Sequence, residues 1–168
     1  MATEAQQRAA IVAEAQTWLG TPFRDQGDVK GPNGCVDCAM LLVRVFTACG
    51  LVDASFDPRP YPPQWHLHRD DERFLNVIAA LFKYRGCGAE MENKAGLPAE
   101  AVAKAGDVIV WRVARCFSHG GIVIENSHVI HAYYRSQRVA ISDLNESELA
   151  LLPSGKPRPF KLFDLWAN

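Results

Sequence analysis

The order of apolar and polar positions divides the chain into a helical first half and an extended second half. Between Ala5 and Leu19, residues Ala9, Val12, Ala13, Gln16 and Leu19 recur at helical spacing among good helix formers, and Gly20-Thr21-Pro22 ends the run. A second helix is predicted from about Asp37 to Cys49, stopping at Gly50. Its Leu41, Leu42, Val45, Phe46 and Cys49 form a wide apolar stripe, which predicts a largely buried helix. A third is predicted from Asp70 to Tyr84, with Phe74, Leu75, Ile78, Leu81 and Phe82 on one face and Gly86-Cys87-Gly88 as the break. Phe23 to Gly34 reads as a loop. Pro58, Pro60, Pro62 and Pro63 make Val52 to Trp65 irregular, because proline lacks the amide donor that regular structure needs.

From Asp107 the period changes. Asp107-Val108-Ile109-Val110-Trp111-Arg112-Val113 is a β-branched run of the kind found in buried strands. His119 to Glu125 and His128 to Tyr134 read as two more, joined by Glu125-Asn126-Ser127, with Arg138 to Ile141 and Pro159 to Phe163 as a fourth and a fifth. Helices followed by an antiparallel meander predict an α+β domain, N-terminal helices packed on an antiparallel sheet. No repeat or low-complexity tract divides the 168 residues, so 1–168 reads as one domain, with a Pro-rich insertion at about 52–69.

Composition narrows the picture only a little. Apolar residues at 48% and charged residues at 22% are ordinary for a globular chain, and a formal net charge of −1 gives no electrostatic case for nucleic acid or an anionic membrane as partner. The N-terminus carries acid and amide residues where a secretion signal would place a basic and then an apolar segment. No apolar run approaches the roughly 20 residues of a membrane span. Cytoplasmic synthesis is therefore expected. The five cysteines are an odd number, and free thiols are the expected state in a reducing compartment.

One cysteine stands in a chemically useful place. Cys38 follows a Gly/Pro-rich loop and lies in the first turn of the second predicted helix, where unpaired N–H groups and the macrodipole favour a thiolate and can line an oxyanion hole. Asp37 suits the N-cap. His119 and His131 lie on consecutive predicted strands and could serve as base and orienter, the third group of a Cys–His–His set. That requires both imidazoles on one face of the sheet. A two-residue loop would pair Ile122 with His131 and put them on opposite faces. A three-residue loop of Glu125-Asn126-Ser127 pairs His119 with Tyr133 and Gly121 with His131, which puts both on one face. The chemistry thus predicts an odd-membered loop or a bulge.

Other chemistry-bearing residues have plainer readings. Cys49, Cys87 and Cys116 read as small apolar core residues. Cys35 and Cys38 form a C-x-x-C, but a thioredoxin-like pair wants a preceding strand, and a zinc site wants a second ligand pair that the sequence lacks. His66 and His68 lie in the proline-rich stretch and read as solvated loop, while Trp65 and Tyr61 could form a lid or cleft wall.

Several motifs in order and in register resemble the NlpC/P60 family of cell-wall peptidases: Gly20-Thr21-Pro22-Phe23-Arg24, Val36-Asp37-Cys38-Ala39, Gly106-Asp107-Val108, Ser118-His119-Gly120-Gly121-Ile122-Val123 and Ile130-His131-Ala132. The resemblance runs from about residue 8 to 142. Lys30-Gly31 and the stretch Trp65-His66-Leu67-His68-Arg69-Asp70 look like the branch encoded with phage and prophage tail genes. It implies a papain-like α+β fold and hydrolysis of an amide in peptidoglycan stem peptides, typically between γ-D-glutamate and a diamino acid. Cys38 would be nucleophile, His119 base and His131 third member, with no metal and no cofactor. Substrate contacts are expected at Phe23, Asp37, Ala39 and Ser118. The implied partners are a stem peptide and phage tail proteins, with a virion- or tail-associated location.

The chain also departs from the family pattern. Phe23 stands where a tyrosine is usual, removing a hydroxyl near the oxyanion or substrate, and Ala39-Met40 stands where Ser-Gly usually follows Asp-Cys. Two rival readings remain open: the same machinery acting as an amidase or acyltransferase on a non-murein substrate, and a non-catalytic tail-assembly component.

Overall fold

The structure is a computed structural model that describes residues 2–62, 71–84, 103–125, 127–144, 148–149, 151–156 and 158–166. Trp65, His66, His68 and Cys87 lie outside the described residues. Helix α1 (Glu4–Gln16) opens with a capping box, in which the Thr3 side chain accepts from Gln6 N–H and the Gln6 side chain answers the Thr3 N–H. It ends before the predicted Leu19, in turns that lead to Gly20, whose φ of 82° suits the residue without a Cβ. Two short strands, β1 (Asp28–Val29) and β2 (Cys35–Val36), form a hairpin, β1 inside the segment expected to be loop and β2 just past its end at Gly34. Helix α2 (Cys38–Ala48) follows at once, and Asp37 caps it by accepting from Met40 N–H at 2.8 Å. Met40 through Val43, Val45 and Phe46 are all buried, so the apolar run does what its stripe predicts.

Helix α3 (Arg73–Leu81) lies inside its predicted range and runs into β3 (Lys83–Tyr84). The Glu72 carboxylate before it accepts from Phe117 N–H at 2.8 Å, which fastens the start of α3 to the sheet. The remaining strands are β4 (Val108–Val113), β5 (Cys116–Ile124), β6 (His128–Tyr133), β7 (Arg138–Asp143) and β8 (Phe160–Asp164). The sheet order is β3-β8-β4-β5-β6-β7, antiparallel throughout. The meander of β4 to β7 is as predicted, with β8 returning to the far side of β4.

The helices cover one face of this sheet. Val108, Val110, Ile122, Ile130 and Ala132 pack with α1, α2 and α3 into the larger core, while Ile109, Trp111, Val123, Val129, Phe160 and Leu162 form a second cluster with Leu144 and Leu149. Gly120 is required for close approach: a Cβ there would sit 2.7 Å from the Phe74 ring and 3.2 Å from Leu42. β5 is thereby clamped under both α2 and α3. The N-terminal helix is locked by Arg8, whose guanidinium donates to Asp107 on the approach to β4 at 2.7 Å and to Asp164 of β8 at 3.3 Å, under the Trp166 ring. This is the α+β arrangement of a papain-like domain.

Candidate active site

The β5–β6 register decides whether the two histidines can cooperate. Ile122 pairs with Ile130, Val123 with Val129 and Ile124 with His128, so an odd number of residues separates the last pair, as the one-face arrangement requires. Ser127, just before His128, takes a φ of 65°. The result is direct contact: His119 Nε2 lies 2.7 Å from His131 Nδ1. Both rings stand on the face that carries Trp111, which stacks on His119 with centroids 5.8 Å apart, and Tyr133 packs against both. His131 is completely buried, and its Nε2 lies 2.8 Å from Ser142 Oγ on β7.

A bulge brings the thiol to the same place. Trp111 pairs with His119 but Arg112 with Phe117, so Ser118 is the extra residue in β5, and its carbonyl meets the start of α2. The Cys38 thiol donates to that carbonyl at 3.9 Å, and the Gly120 N–H is turned to the sulfur from the other side of His119. Cys38 therefore meets the strand on either side of the histidine. Burial pushes the thiol up to about 12, and the neighbouring Asp37 carboxylate acts in the same direction. The N–H groups of Gly120, Cys38 and Ala39 offset these only in part. The expectation that a helix start favours the thiolate is thus met in direction but outweighed in size. Ionisation needs a proton acceptor that becomes a cation at once, and the His119 imidazole opens into the same cleft as the sulfur. Burial also pushes His131 down to about 4, so at neutral pH it is uncharged and carries a single ring proton.

Cys38, Ser118 and His119 open into a cleft of about 510 Å³ together with Phe23, Asp37 and Ala39. All four residues expected to meet substrate therefore line it. Asp37 is nevertheless heavily engaged by the protein itself. Its Oδ1 accepts from Met40 N–H at 2.8 Å, and its Oδ2 accepts from Gln26 N–H and from the Tyr61 hydroxyl, each at 2.6 Å. Burial raises its carboxyl above the ordinary range even so. The cleft walls are mostly apolar, with Pro58, Pro60 and Tyr61 from the proline-rich segment and Phe74 and Val77 from α3; Asp25 and Arg73 bring charge.

Ser142 is a site residue that the sequence reading missed, since the predicted strand ended at Ile141. Pairing His131 with Ala140 places residue 142 one diagonal step away on the same face, so a register count carried two residues further would have found it. Cys35 and Cys38 are both free thiols, and among the described residues no group of His, Cys, Asp and Glu is arranged to hold a metal ion. No helix among those residues is long and apolar enough to cross a membrane.

The sequence model of the NlpC/P60 family matches residues 20–150. No curated protein sequence matches the chain. Among solved structures, an N-acetylmuramoyl-L-alanine amidase from Bacteroides uniformis is 15% identical with a TM-score of 0.60, the match covering 95% of this chain and 98% of that one. NlpC1 from Trichomonas vaginalis is also 15% identical, with a TM-score of 0.59 over 99% of this chain and 46% of that one. A lipoprotein-like protein of the NLP/P60 family from Staphylococcus aureus is 16% identical, with a TM-score of 0.58 over 100% of this chain and 44% of that one. The chain thus spans less than half the length of the last two.

Proposed function

The chain belongs to the NlpC/P60 family, whose members of this type are cysteine peptidases acting on the cell wall, and from that premise we propose that it hydrolyses an amide bond within peptidoglycan stem peptides. The observation that carries the reading is the contact of His119 Nε2 with His131 Nδ1 at 2.7 Å, beside a thiol seated on the backbone on both sides of His119. In the reaction, the Cys38 proton passes to His119 Nδ1 and the thiolate attacks the scissile carbonyl. The oxyanion forms near the first N–H groups of α2. His119 then protonates the leaving amine as the C–N bond breaks, leaving a thioester on Cys38. Water, deprotonated by His119, hydrolyses the thioester and restores the thiol. The His131 ring, held neutral, accepts from His119 Nε2–H throughout.

The finer assignment is the bond between γ-D-glutamate and a diamino acid, in a protein delivered with a phage or prophage tail. It is supported by the motifs of the sequence, with Lys30-Gly31 before the cysteine and the stretch 65–70 carrying the tail-gene likeness. Digestion of purified sacculi by wild type and Cys38→Ala, with products read by mass spectrometry, tests both levels. Stem-peptide fragments from wild type alone are expected, and their masses identify the bond. No release by a wild type whose Cys38 still alkylates would overturn the murein substrate and move the search to other amides.

A further inference from the structure

A side chain of the proline-rich segment reaches the start of the catalytic helix. Tyr61 donates its hydroxyl to Asp37 Oδ2 at 2.6 Å, the other partners of that carboxylate being backbone N–H groups of Gln26 and Met40. Burial and then the adjacent Asp37 charge push the phenol far above its ordinary range, so it stays protonated and donates at every working pH. The residue is also fixed from behind. Gln26 Nε2 donates to the Tyr61 carbonyl at 3.0 Å, and Arg59 donates to the Gln26 carbonyl at 2.9 Å. Arg59 further pairs with Asp57 and with Asp28, and Asp28 in turn pairs with Arg44 on α2. The segment is therefore strapped to the same helix whose first residue is Cys38. Phe23, an aromatic residue of the same cleft, has no hydroxyl to offer.

We propose that Tyr61 is a positioning residue of the active site: its phenol holds the Asp37 carboxylate in its capping geometry and drains its negative charge, and so sets how readily Cys38 ionises. The role rests on the thiol-hydrolase reading of the site but not on the identity of the substrate. Asp37 faces Cys38 along the helix start, Tyr61 from the strap and Asp25 from the loop before β1, while His119 from β5 and Arg73 from α3 share the cleft. Asp25 carries the same sign as Asp37, so it offers no compensation when the phenol is lost. A carboxylate without its phenol acts at greater strength on the sulfur beside it, and the thiolate becomes harder to form.

The test is the pH profile of Cys38 alkylation by iodoacetamide, which needs no peptidoglycan. Tyr61→Phe keeps the ring and removes only the hydroxyl. Its acid limb is expected to move up by half a pH unit or more, about threefold in rate at a fixed pH on the limb. In an Asp37→Asn background the same Tyr61 change should leave the profile where Asp37→Asn alone puts it, since the coupling runs through the carboxylate. An unchanged profile in Tyr61→Phe, or an equal shift in both backgrounds, would overturn the proposal. If wild type fails to digest sacculi while Tyr61→Phe still moves the limb, the substrate reading falls and this role stands.

Discussion

His119 Nε2 and His131 Nδ1 lie 2.7 Å apart, and the burial that pushes His131 down to about 4 leaves that ring a single proton to share between His119 and Ser142. A neutral His131 has one ring proton. With that proton on Nε2, facing Ser142, its Nδ1 is a lone pair for the His119 Nε2–H, which leaves His119 Nδ1 as the nitrogen available to take a proton. Removal of the partner by His131→Ala should cost about 100-fold or more in kcat with little change in KM, since orientation matters most when the imidazolium forms. Steady-state kinetics on the released stem-peptide substrate check this.

The same burial has a signature in stability. His131 has a folded value near 4 against an ordinary 6.5, so the unfolded chain takes up its proton first as the pH falls. Stability from this residue is complete above about pH 6.5 and is lost progressively down to pH 4, by on the order of 3 kcal/mol. Urea unfolding of wild type and His131→Gln across pH 4 to 7 should show this slope only in wild type.

Ser142 Oγ lies 2.8 Å from His131 Nε2, and the proposed mechanism requires it to accept the proton on that nitrogen. Ser142→Ala should free the other tautomer, in which Nδ1–H confronts Nε2–H of His119, and lower kcat by about tenfold, an amount typical of second-layer partners of a functional histidine. Ser142→Thr, which keeps the hydroxyl, should recover most of it. Nitrogen-15 NMR of the imidazoles reads the tautomer directly, and an unaltered His131 spectrum in Ser142→Ala would exclude the role.

How much of this was legible in the sequence depends on the range of the interaction concerned. The three helices and five of the strands follow from local periodicity, and the one-face condition on His119 and His131 follows from the period of two with a three-residue connection. β1, β2 and β3 are two residues each and carry no periodicity, because pairing partners such as Val36 for Asp28 and Asp164 for Lys83 make them strands. The insertion of β8 beside β4 is likewise a long-range choice. The prolines around Tyr61 correctly announce irregular chain, but nothing local says that it lies across the start of α2. Burial and the Asp37 charge, which outweigh the helix start at Cys38, are tertiary properties that a helix-start motif does not carry.

Gly120 ties packing to the site. A methyl group there would meet the Phe74 ring at 2.7 Å and Leu42 at 3.2 Å, while the neighbouring His119 is anchored by the same strand. Gly120→Ala should destabilise the domain by about 1–3 kcal/mol, the usual cost of overpacking. Shrinking the opposing ring with Phe74→Leu should restore part of that loss, and the midpoint of urea unfolding for the single and double variants decides it.

Arg8 is 11% exposed at its side chain and bridges two buried carboxylates, Asp107 just before β4 and Asp164 at the end of the neighbouring β8. Desolvation opposes its charge, yet the hydrogen bonds to Asp107 and Glu4 leave it more firmly protonated than an ordinary arginine. Arg8→Met keeps much of the apolar stem while removing the charge from both carboxylates, and should cost about 3–5 kcal/mol. Arg8→Lys should recover only a fraction, because an ammonium cannot reproduce the fork that reaches Asp107, Asp164 and the Ala105 carbonyl together. A fully stable Arg8→Lys would show that charge alone holds α1 to the sheet.

The thiol itself offers the sharpest test of the catalytic pair. Without an imidazolium, burial and Asp37 hold Cys38 up to about 12, so the isolated thiol should be inert at neutral pH. Removing the base by His119→Ala should therefore suppress iodoacetamide alkylation below about pH 10 and let it rise only toward the thiol's own ionisation. On the proposed mechanism the wild-type proton moves to His119 instead, and the reactive form is an ion pair whose two ionisations are properties of the pair. Its alkylation should set in several pH units lower and persist through neutrality. If His119→Ala alkylates with the wild-type profile, the thiol does not depend on His119, and the Cys–His pair proposed for catalysis is wrong.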